Sequence, residues 1–218
     1  MQDKVIYLDN AASTLVKPEI LQTYNQVINT YFANPSSIHA EGQKANRLID
    51  KAREQILSCL HVNNHEVVFT SGATEANNLA IKGYCLKHQN RGKHIITSNV
   101  EHASVKECFK ALELEGFKVT YLPVNKDGVI ELDDLRNAMT NDTILVSLMA
   151  VNNEIGSINP IKEIADIVHK FPKANLHVDT TQAIAKVNLD YSAIDMFVVS
   201  SHKIHGLKGS GALIAKNT

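Results

Sequence analysis

The chain has 218 residues, a length within the range of one large domain with a substantial core. Its 22 lysines and arginines against 23 aspartates and glutamates give a net charge of -1, which excludes the strongly basic surface of a protein that binds nucleic acid or an anionic membrane. The sequence has no apolar run of membrane-spanning length and no secretory signal at its start, so we expect a cytoplasmic protein.

The cysteines and histidines carry no disulfide or metal signature. There are three cysteines without close pairing, which fits a reducing compartment. Each lies in a stretch with helical character, where a small buried thiol is expected: Cys59, Cys85 and Cys108. Ten histidines are present, but none shows HExxH spacing and no CxxC occurs, so we predict no metal site.

The N-terminal part of the chain predicts one strand and two helices. Apolar residues at 5–8 predict a short strand, and the small polar residues at 9–13 predict a turn. A proline at the start of a helix is well tolerated, so we predict a helix over 18–31. Apolar residues at helical spacing then predict a long amphipathic helix from about residue 41 to residue 60.

From there the sequence repeats one pattern, in which an apolar strand ends in polar residues and a helix begins. The predicted strands are 66–69, 94–97, 119–121, 144–149, 176–178, 196–199 and 212–215. The predicted helices are 76–86, 104–114, 132–139 and 161–171. Strands that alternate with helices predict an α/β fold with a mostly parallel, mixed sheet and helices on both faces.

Polar side chains follow five of these strands. In an open α/β sheet, ligands bind in the crevice outside the carboxyl ends of the strands. We therefore expect one common crevice to receive the residues at these strand ends: Thr74, His102, Asn153, Asp179 with Gln182, and Lys203.

The Gly72-Ala73-Thr74 turn is suited to hold a phosphate, because free N–H groups and the positive end of a helix dipole point at the same place. The turn lacks the spacing of a nucleotide P-loop and of a dinucleotide-binding motif. The alternative is an ordinary helix cap, in which Ser71 or Thr74 bonds a backbone N–H.

The other strand ends supply groups for an aromatic ligand, and each also has a structural alternative. Asp179 can pair with a protonated ring nitrogen, or it can cap the next turn. His102 can stack on a ring or carry a proton, or it can bond the backbone at a helix start. Asn153 and Gln182 can donate hydrogen bonds to a ring oxygen, or they can serve in turns.

Lys203 follows the last buried strand before a glycine-rich segment. A partly desolvated lysine amine loses its proton more readily and can form a Schiff base with a carbonyl, although most lysines beside turns are solvated. His202, next to it, can bond a phosphate or point into the turn. A phosphate site, a carboxylate, an imidazole and a Schiff-base lysine together predict pyridoxal 5′-phosphate as the cofactor.

Seven segments, in order along the whole chain, resemble the motifs of the cysteine desulfurases, which belong to the class V aminotransferase group of fold-type I pyridoxal-phosphate enzymes. The segments are YLDNAAST (7–14), NPSSIHAEG (34–42), TSGATEANNLAIKG (70–83), VEHAS (100–104), VNNEIG (151–156), HVDTTQ (177–182) and SSHKIHGLKGSGAL (200–213).

The resemblance implies a role for each predicted residue. It implies that Lys203 forms the Schiff base, that Asp179 pairs with the pyridine nitrogen and that Gln182 bonds the phenolic oxygen. His102 would stack on the ring and transfer protons, and Asn153 would lie near the ring edge and the substrate carboxylate. The phosphate would be held by Ala73, Thr74, Ser200 and His202.

The resemblance also implies a reaction and partners. A homodimeric enzyme would convert L-cysteine to alanine and pass the sulfur, as a persulfide, to an acceptor such as an iron–sulfur scaffold or a tRNA-modifying enzyme. Family members continue into a small C-terminal domain with the persulfide-forming cysteine and an arginine that binds the substrate. We therefore expect an N-terminal segment (1–15) and the large cofactor-binding domain (16–218), with the small domain absent from this chain.

Two positions depart from the family pattern, and two other functions stay open. Ala150 replaces the histidine of the family's Met-His-Val-Asn-Asn, which would remove a polar contact near the site, and Ser201 replaces the glycine of Ser-Gly-His-Lys. The first alternative is a selenocysteine lyase or another class V enzyme such as a transaminase. The second is a non-catalytic binding module, whose exposed apolar surface would favour association.

Overall fold

The computed structural model describes residues 5–217. Seven strands in these residues form one sheet. They are β1 (His65–Thr70), β2 (His94–Ser98), β3 (Lys118–Leu122), β4 (Thr143–Met149), β5 (Asn175–Asp179), β6 (Met196–Ser200) and β7 (Gly211–Lys216).

Seven α-helices accompany the strands in the described residues. They are α1 (Pro18–Thr30), α2 (Ala40–Cys59), α3 (Ala73–Asn78), α4 (Tyr84–His88), α5 (Ala103–Leu114), α6 (Leu132–Ala138) and α7 (Ile161–Val168). A π-helical turn, Leu79–Gly83, joins α3 to α4, and short 3-10 turns lie at Tyr191–Ala193 and Ser201–Lys203.

The strand order is β1-β7-β6-β5-β4-β2-β3. The strand β7 runs antiparallel to both of its neighbours, and all the other pairs are parallel. The predicted α/β fold with a mostly parallel, mixed sheet is therefore confirmed. Because six strands run in the same direction, five of the segments named from the sequence leave the sheet at one edge.

Helices cover both faces of the sheet, as predicted. Every residue of β4 is buried, which is typical of a parallel strand covered on both sides. Alternate residues of β4 point to different layers: Val146 packs with residues of α6 and α7, whereas Leu145 packs with residues of α5 such as Phe109. The two layers give the protein two apolar clusters separated by the sheet.

The predicted strand at 5–8 is wrong. These residues form no regular structure, and Val5 and Leu8 are 84% and 87% exposed. A strand requires a partner for its backbone N–H and C=O groups, and no strand of residues 5–217 pairs with this segment. The helix predicted from residue 76 begins earlier, at Ala73, directly after the turn at Gly72.

The three cysteines are free, but they are not all buried as predicted. Cys85 and Cys108 are buried in the α4 and α5 layer, whereas Cys59 is exposed. Cys59 is the last residue of α2, where Ile56 and Leu57 make the contacts with the core instead. None of the helices formed by residues 5–217 is both long and apolar enough to cross a membrane.

Candidate active site

A cleft of about 780 Å³ opens where the parallel strands end. Its walls come from the segments after β1, β2, β4, β5 and β6 and from the turn near the N-terminus. All nine residues predicted from the sequence line this one cleft: Ala73, Thr74, His102, Asn153, Asp179, Gln182, Ser200, His202 and Lys203.

The start of α3 forms one end of the cleft with unused backbone donors. Gly72, the N-cap, has φ of 155° and ψ of -178°, a conformation that glycine alone adopts readily. The expected alternative, a cap by Ser71 or Thr74, is not formed, because Ser71 donates its N–H and its hydroxyl to Glu75 Oε2 at 2.7 and 2.6 Å. Among residues 5–217, no acceptor bonds the N–H groups of Ala73 and Thr74.

The strand β7 approaches this turn so closely that a side chain would not fit. A Cβ on Gly211 would stand 2.6 Å from the Cα of Gly72 and 2.5 Å from the carbonyl oxygen of Val199. The hydroxyl of Ser200 lies 3.7 Å from the Cβ position of Gly72. Glycine at 211 therefore lets the turn rest on the sheet beside a buried hydroxyl.

Asp179 ends β5 at the floor of the cleft, where it is 7% exposed. One carboxylate oxygen accepts a hydrogen bond from the N–H of Thr181 at 3.0 Å, as expected for an aspartate that caps a turn. The other oxygen accepts from Nδ2 of Asn77 at 3.0 Å. The carboxylate is thus held in one orientation by two donors, and it still lines the cleft.

His102 is the N-cap of α5, so the structural alternative for this residue is also observed. Its Nδ1 accepts the N–H of Ser104 at 3.2 Å and lies 2.9 Å from the hydroxyl of Ser104. The other ring nitrogen, Nε2, has no hydrogen-bond partner in the part of the chain that the structure describes. His102 therefore caps a helix with one nitrogen and leaves the other free at the cleft.

Lys203 extends its amine into the cleft and donates to the carbonyl oxygen of Ala11. Partial burial lowers the pKa of the Lys203 amine, and the nearby carboxylates of Asp9 and Asp179 oppose that shift. Gln182 donates to the same carbonyl oxygen through Nε2 at 2.8 Å. A lowered amine pKa is expected for a lysine that acts as a nucleophile.

The N-terminal turn is fastened to the lysine segment through Thr14. The N–H and the hydroxyl of Thr14 donate to the carbonyl oxygen of His202 at 2.8 and 2.9 Å, and the hydroxyl accepts from the N–H of His205 at 2.7 Å. These bonds join residues that are about 190 positions apart in the sequence, and they place Ala11 beside Lys203.

His202 and Asn153 lie at the sides of the cleft. Burial, followed by the charges of Lys203 and Lys208, lowers the pKa of His202. Asn153 follows β4, and its Nδ2 donates to Glu154 at 2.6 Å. Among residues 5–217, neither side chain forms a hydrogen bond with a buried partner.

Two buried ionisable side chains lie near Asp179. Burial raises the pKa of Glu101 to about 8, and this effect outweighs the hydrogen bonds that its Oε1 accepts from Ser98 and from the N–H of Met149, which lower the pKa. Burial lowers the pKa of His177 to about 4, and the carboxylate of Asp179 opposes this shift. At neutral pH both groups are therefore mainly uncharged beside the buried side chain of Asp179.

The two departures from the expected motif have different consequences. Ala150 is fully buried in the apolar layer with α6 and α7 and does not line the cleft, so the expected loss of a polar contact at the site is wrong. The hydroxyl of Ser201 bonds the carbonyl oxygens of Leu207 and Ser210, the second at 2.9 Å. Ser201 thus ties together the loop that follows Lys203.

Sequence reasoning missed Asn77 and Ser104, which contact Asp179 and His102 from within helices, and it missed the role of Thr14. The sequence did contain a signal for Asn77. It lies one turn into the helix that follows the turn at Gly72, and this position places its amide over the same strand ends. Thr14 had no such signal, since its partner lies far along the chain.

Comparison with known proteins gives one family. The family model described as aminotransferase class-V matches residues 6–218. A NifS/IcsS protein homolog of Lactobacillus delbrueckii is 49% identical over 215 residues, which is 97% of this chain and 56% of that relative. The cysteine desulfurase IscS of Clostridium botulinum is 43% identical over 217 residues, which is 99% of this chain and 54% of that relative.

Solved structures agree in fold. A NifS-like protein superposes with a TM-score of 0.91 at 38% identity and covers 96% of this chain. A structure described as SspA in complex with cysteine superposes with a TM-score of 0.89 at 38% identity and also covers 96% of this chain. This chain covers 58% and 60% of those two chains, so it spans little more than half the length of the relatives that it matches.

Proposed function

The chain belongs to the aminotransferase class-V family, and from that premise we propose that it is the cofactor-binding part of a cysteine desulfurase. One observation carries the proposal: five strand ends bring a buried carboxylate, a histidine and a partly desolvated lysine to a single cleft. Such a cleft suits an aromatic aldehyde cofactor, because the carboxylate can pair with a protonated ring nitrogen, the histidine can transfer protons and the lysine can react with the aldehyde.

The chain's own residues fit pyridoxal 5′-phosphate. The unused N–H groups of Ala73 and Thr74 and the hydroxyl of Ser200 offer donors to a phosphate at the start of α3, and His202 stands at the same cleft. A carboxylate at Asp179 favours a protonated ring nitrogen by opposite charge, and two donors hold that carboxylate in one orientation.

The remaining groups act on the reacting side of the cofactor. When bound, pyridoxal phosphate supplies an electron sink for bonds at the amino acid's α-carbon. Lys203 supplies the amine, and the lowered pKa makes the unprotonated nucleophile more available near neutral pH. Nε2 of His102 exchanges protons in the cleft, Gln182 donates to a ring oxygen, and Asn153 donates near the substrate.

We propose L-cysteine as the substrate, since the relatives at 43% identity are named cysteine desulfurases and the SspA structure is described as a complex with cysteine. The sulfur would pass to a cysteine supplied outside the large domain (16–218) and then to an acceptor protein. Neither of the buried thiols, Cys85 and Cys108, lines the cleft. A homodimer in the cytoplasm, where free thiols stay reduced, completes the proposal.

The test is reconstitution of the chain with pyridoxal phosphate. We expect a visible absorption band that L-cysteine changes and D-cysteine does not. Asp179→Asn should weaken cofactor binding about tenfold or more, because the ring nitrogen loses its charged partner, whereas the exposed control Asp190→Asn should not. No band with the unsubstituted chain, or equal binding by the two variants, would overturn the proposal.

A further inference from the structure

We propose that Asn77 and Ser104 are positioning residues, which form a buried relay from Asp179 to His102 and keep the imidazole proton on Nε2. The proposal rests on the proposed function only in giving His102 a task as a proton carrier. The relay itself is a set of hydrogen bonds among four side chains from α3, α5 and the ends of β2 and β5.

The direction of the relay is set at Asp179. Each of its carboxylate oxygens accepts a hydrogen bond from an N–H group, one from Asn77 and one from the backbone of Thr181. The amide of Asn77 must therefore turn its nitrogen toward Asp179, because the flipped amide would bring its oxygen against the carboxylate. Asn77 is fully buried, so water does not compete for this contact.

The same nitrogen of Asn77 reaches Ser104. Nδ2 carries two hydrogens, and it lies 3.0 Å from the carboxylate of Asp179 and 3.0 Å from the hydroxyl oxygen of Ser104. The Ser104 hydroxyl, which is 9% exposed, accepts this bond and keeps its single proton for another acceptor. Nδ1 of His102 lies 2.9 Å from the hydroxyl oxygen and can accept that proton.

Nδ1 of His102 thus faces two donors. The hydroxyl of Ser104 and the backbone N–H of Ser104 both point at it, at 2.9 and 3.2 Å. A nitrogen that accepts two hydrogen bonds carries no proton, so the proton of the neutral imidazole lies on Nε2. Nε2 is the nitrogen left free at the cleft, and His102 therefore presents a hydrogen-bond donor to whatever the cleft binds.

The choice of ring nitrogen matters for chemistry in the cleft. With the proton on Nε2, the resting histidine can donate to a bound group but cannot accept a proton at that atom. The relay also links two residues that line the cleft, Asp179 and His102, because the Asn77 nitrogen that orients Asp179 also orients the serine hydroxyl at His102.

The experiment is nitrogen-15 NMR of the chain labelled at histidine, with and without pyridoxal phosphate. The His102 signals are assigned by their loss in His102→Gln, and they report which ring nitrogen carries the proton. The test variants are Ser104→Ala, which removes only the hydroxyl, and Asn77→Leu, which keeps the volume but removes both donor hydrogens. Exposed residues give the matched controls, Ser58→Ala and Asn137→Leu.

In the unsubstituted chain we expect the proton almost wholly on Nε2. Ser104→Ala should raise the ratio of Nδ1-protonated to Nε2-protonated ring about fivefold, and Asn77→Leu should raise it about threefold, while the controls leave it unchanged. A proton on Nδ1 in the unsubstituted chain, or equal ratios in Ser104→Ala and Ser58→Ala, would overturn the relay. If Asn77→Leu does not fold, the tautomer ratio of His102 in Ser104→Ala alone tests the relay.

The experiments give different results if the relay is wrong and if the proposed function is wrong. A chain that binds pyridoxal phosphate but shows no change of tautomer in Ser104→Ala has the proposed cofactor and no relay. A chain that shows the expected tautomers without the cofactor, and never binds it, has the relay and lacks the proposed function.

Discussion

Replacing Glu101 with glutamine should remove most of the decrease in stability that the protein shows between about pH 5 and pH 8. Glu101 is 2% exposed, and burial raises its pKa from 4.5 to about 8. In this pH range the folded protein keeps the carboxyl protonated, whereas the unfolded chain releases the proton. The folded state therefore binds more protons, and its stability falls as pH rises.

The size of this decrease in stability follows from the change in the pKa of Glu101. Each pKa unit corresponds to about 1.4 kcal/mol, and each state is only half titrated at its own pKa, so raising the pKa from 4.5 to about 8 makes the free energy of unfolding about 4 kcal/mol smaller at pH 8 than at pH 4.5. Glutamine keeps the oxygen that accepts from Ser98 and from the N–H of Met149, but it has no proton to lose. It also buries an amide nitrogen, which adds an offset that does not depend on pH.

The assay is urea unfolding at half-unit steps from pH 5 to pH 8.5 for the two proteins. His177 has an opposite dependence, because its lowered pKa of about 4 makes stability fall as pH drops from 6.5 toward 4. The difference between the two curves cancels that contribution. Two results would refute the reasoning. One is a difference in the free energy of unfolding that does not change between pH 5 and pH 8, and the other is an equal loss of pH dependence in the exposed control Glu163→Gln.

Three further predictions concern the glycine contact, the N-terminal attachment and the thiols. Gly211→Ala should cost about 1–3 kcal/mol of stability and weaken binding of pyridoxal phosphate, because its Cβ would overlap the backbone of Gly72; urea unfolding and cofactor titration measure this. Thr14→Val should cost about 1–3 kcal/mol and speed hydrogen exchange in the lysine segment, because two bonds of the hydroxyl are lost. Cys59 should react with a thiol reagent at least about tenfold faster than Cys85, which is buried and has its pKa raised to about 12.

Matched controls separate these effects from general damage. Gly83→Ala meets only ordinary contacts, and it should leave stability unchanged or raise it slightly. Thr23→Val removes an exposed helical hydroxyl and should leave exchange near Lys203 unchanged. Equal losses in the test and control variants would contradict the first two predictions. Equal reaction rates of Cys59 and Cys85 in the folded protein would contradict the third.

The sequence was sufficient for the sheet and for the residues at its edge. A parallel strand buried on both faces leaves a continuous apolar run, and the polar residue after it must lie at the carboxyl edge, so Asp179 and Lys203 could be placed from their neighbours alone. The family resemblance then added a role for each residue, which the pattern of strands did not supply.

The residues that support the edge could not be predicted in the same way. Asn77 and Asp179 are 102 positions apart, and neither a helix nor a strand pattern shows that a helical amide reaches a strand end. Thr14 contacts His202 across 188 positions, and its neighbours predicted only a turn. The apolar run at 5–8 has strand character, but strand character does not create a partner strand.

The most direct test of the cofactor site is borohydride reduction of the chain with bound pyridoxal phosphate, followed by peptide mapping. We expect one reduced adduct, on Lys203, whose amine reaches the carbonyl of Ala11, and none on the neighbouring Lys186 or Lys208. Lys203→Ala should abolish the adduct. An adduct that persists in Lys203→Ala, or that is spread over the neighbouring lysines, would contradict the claim that the strand ends form one site.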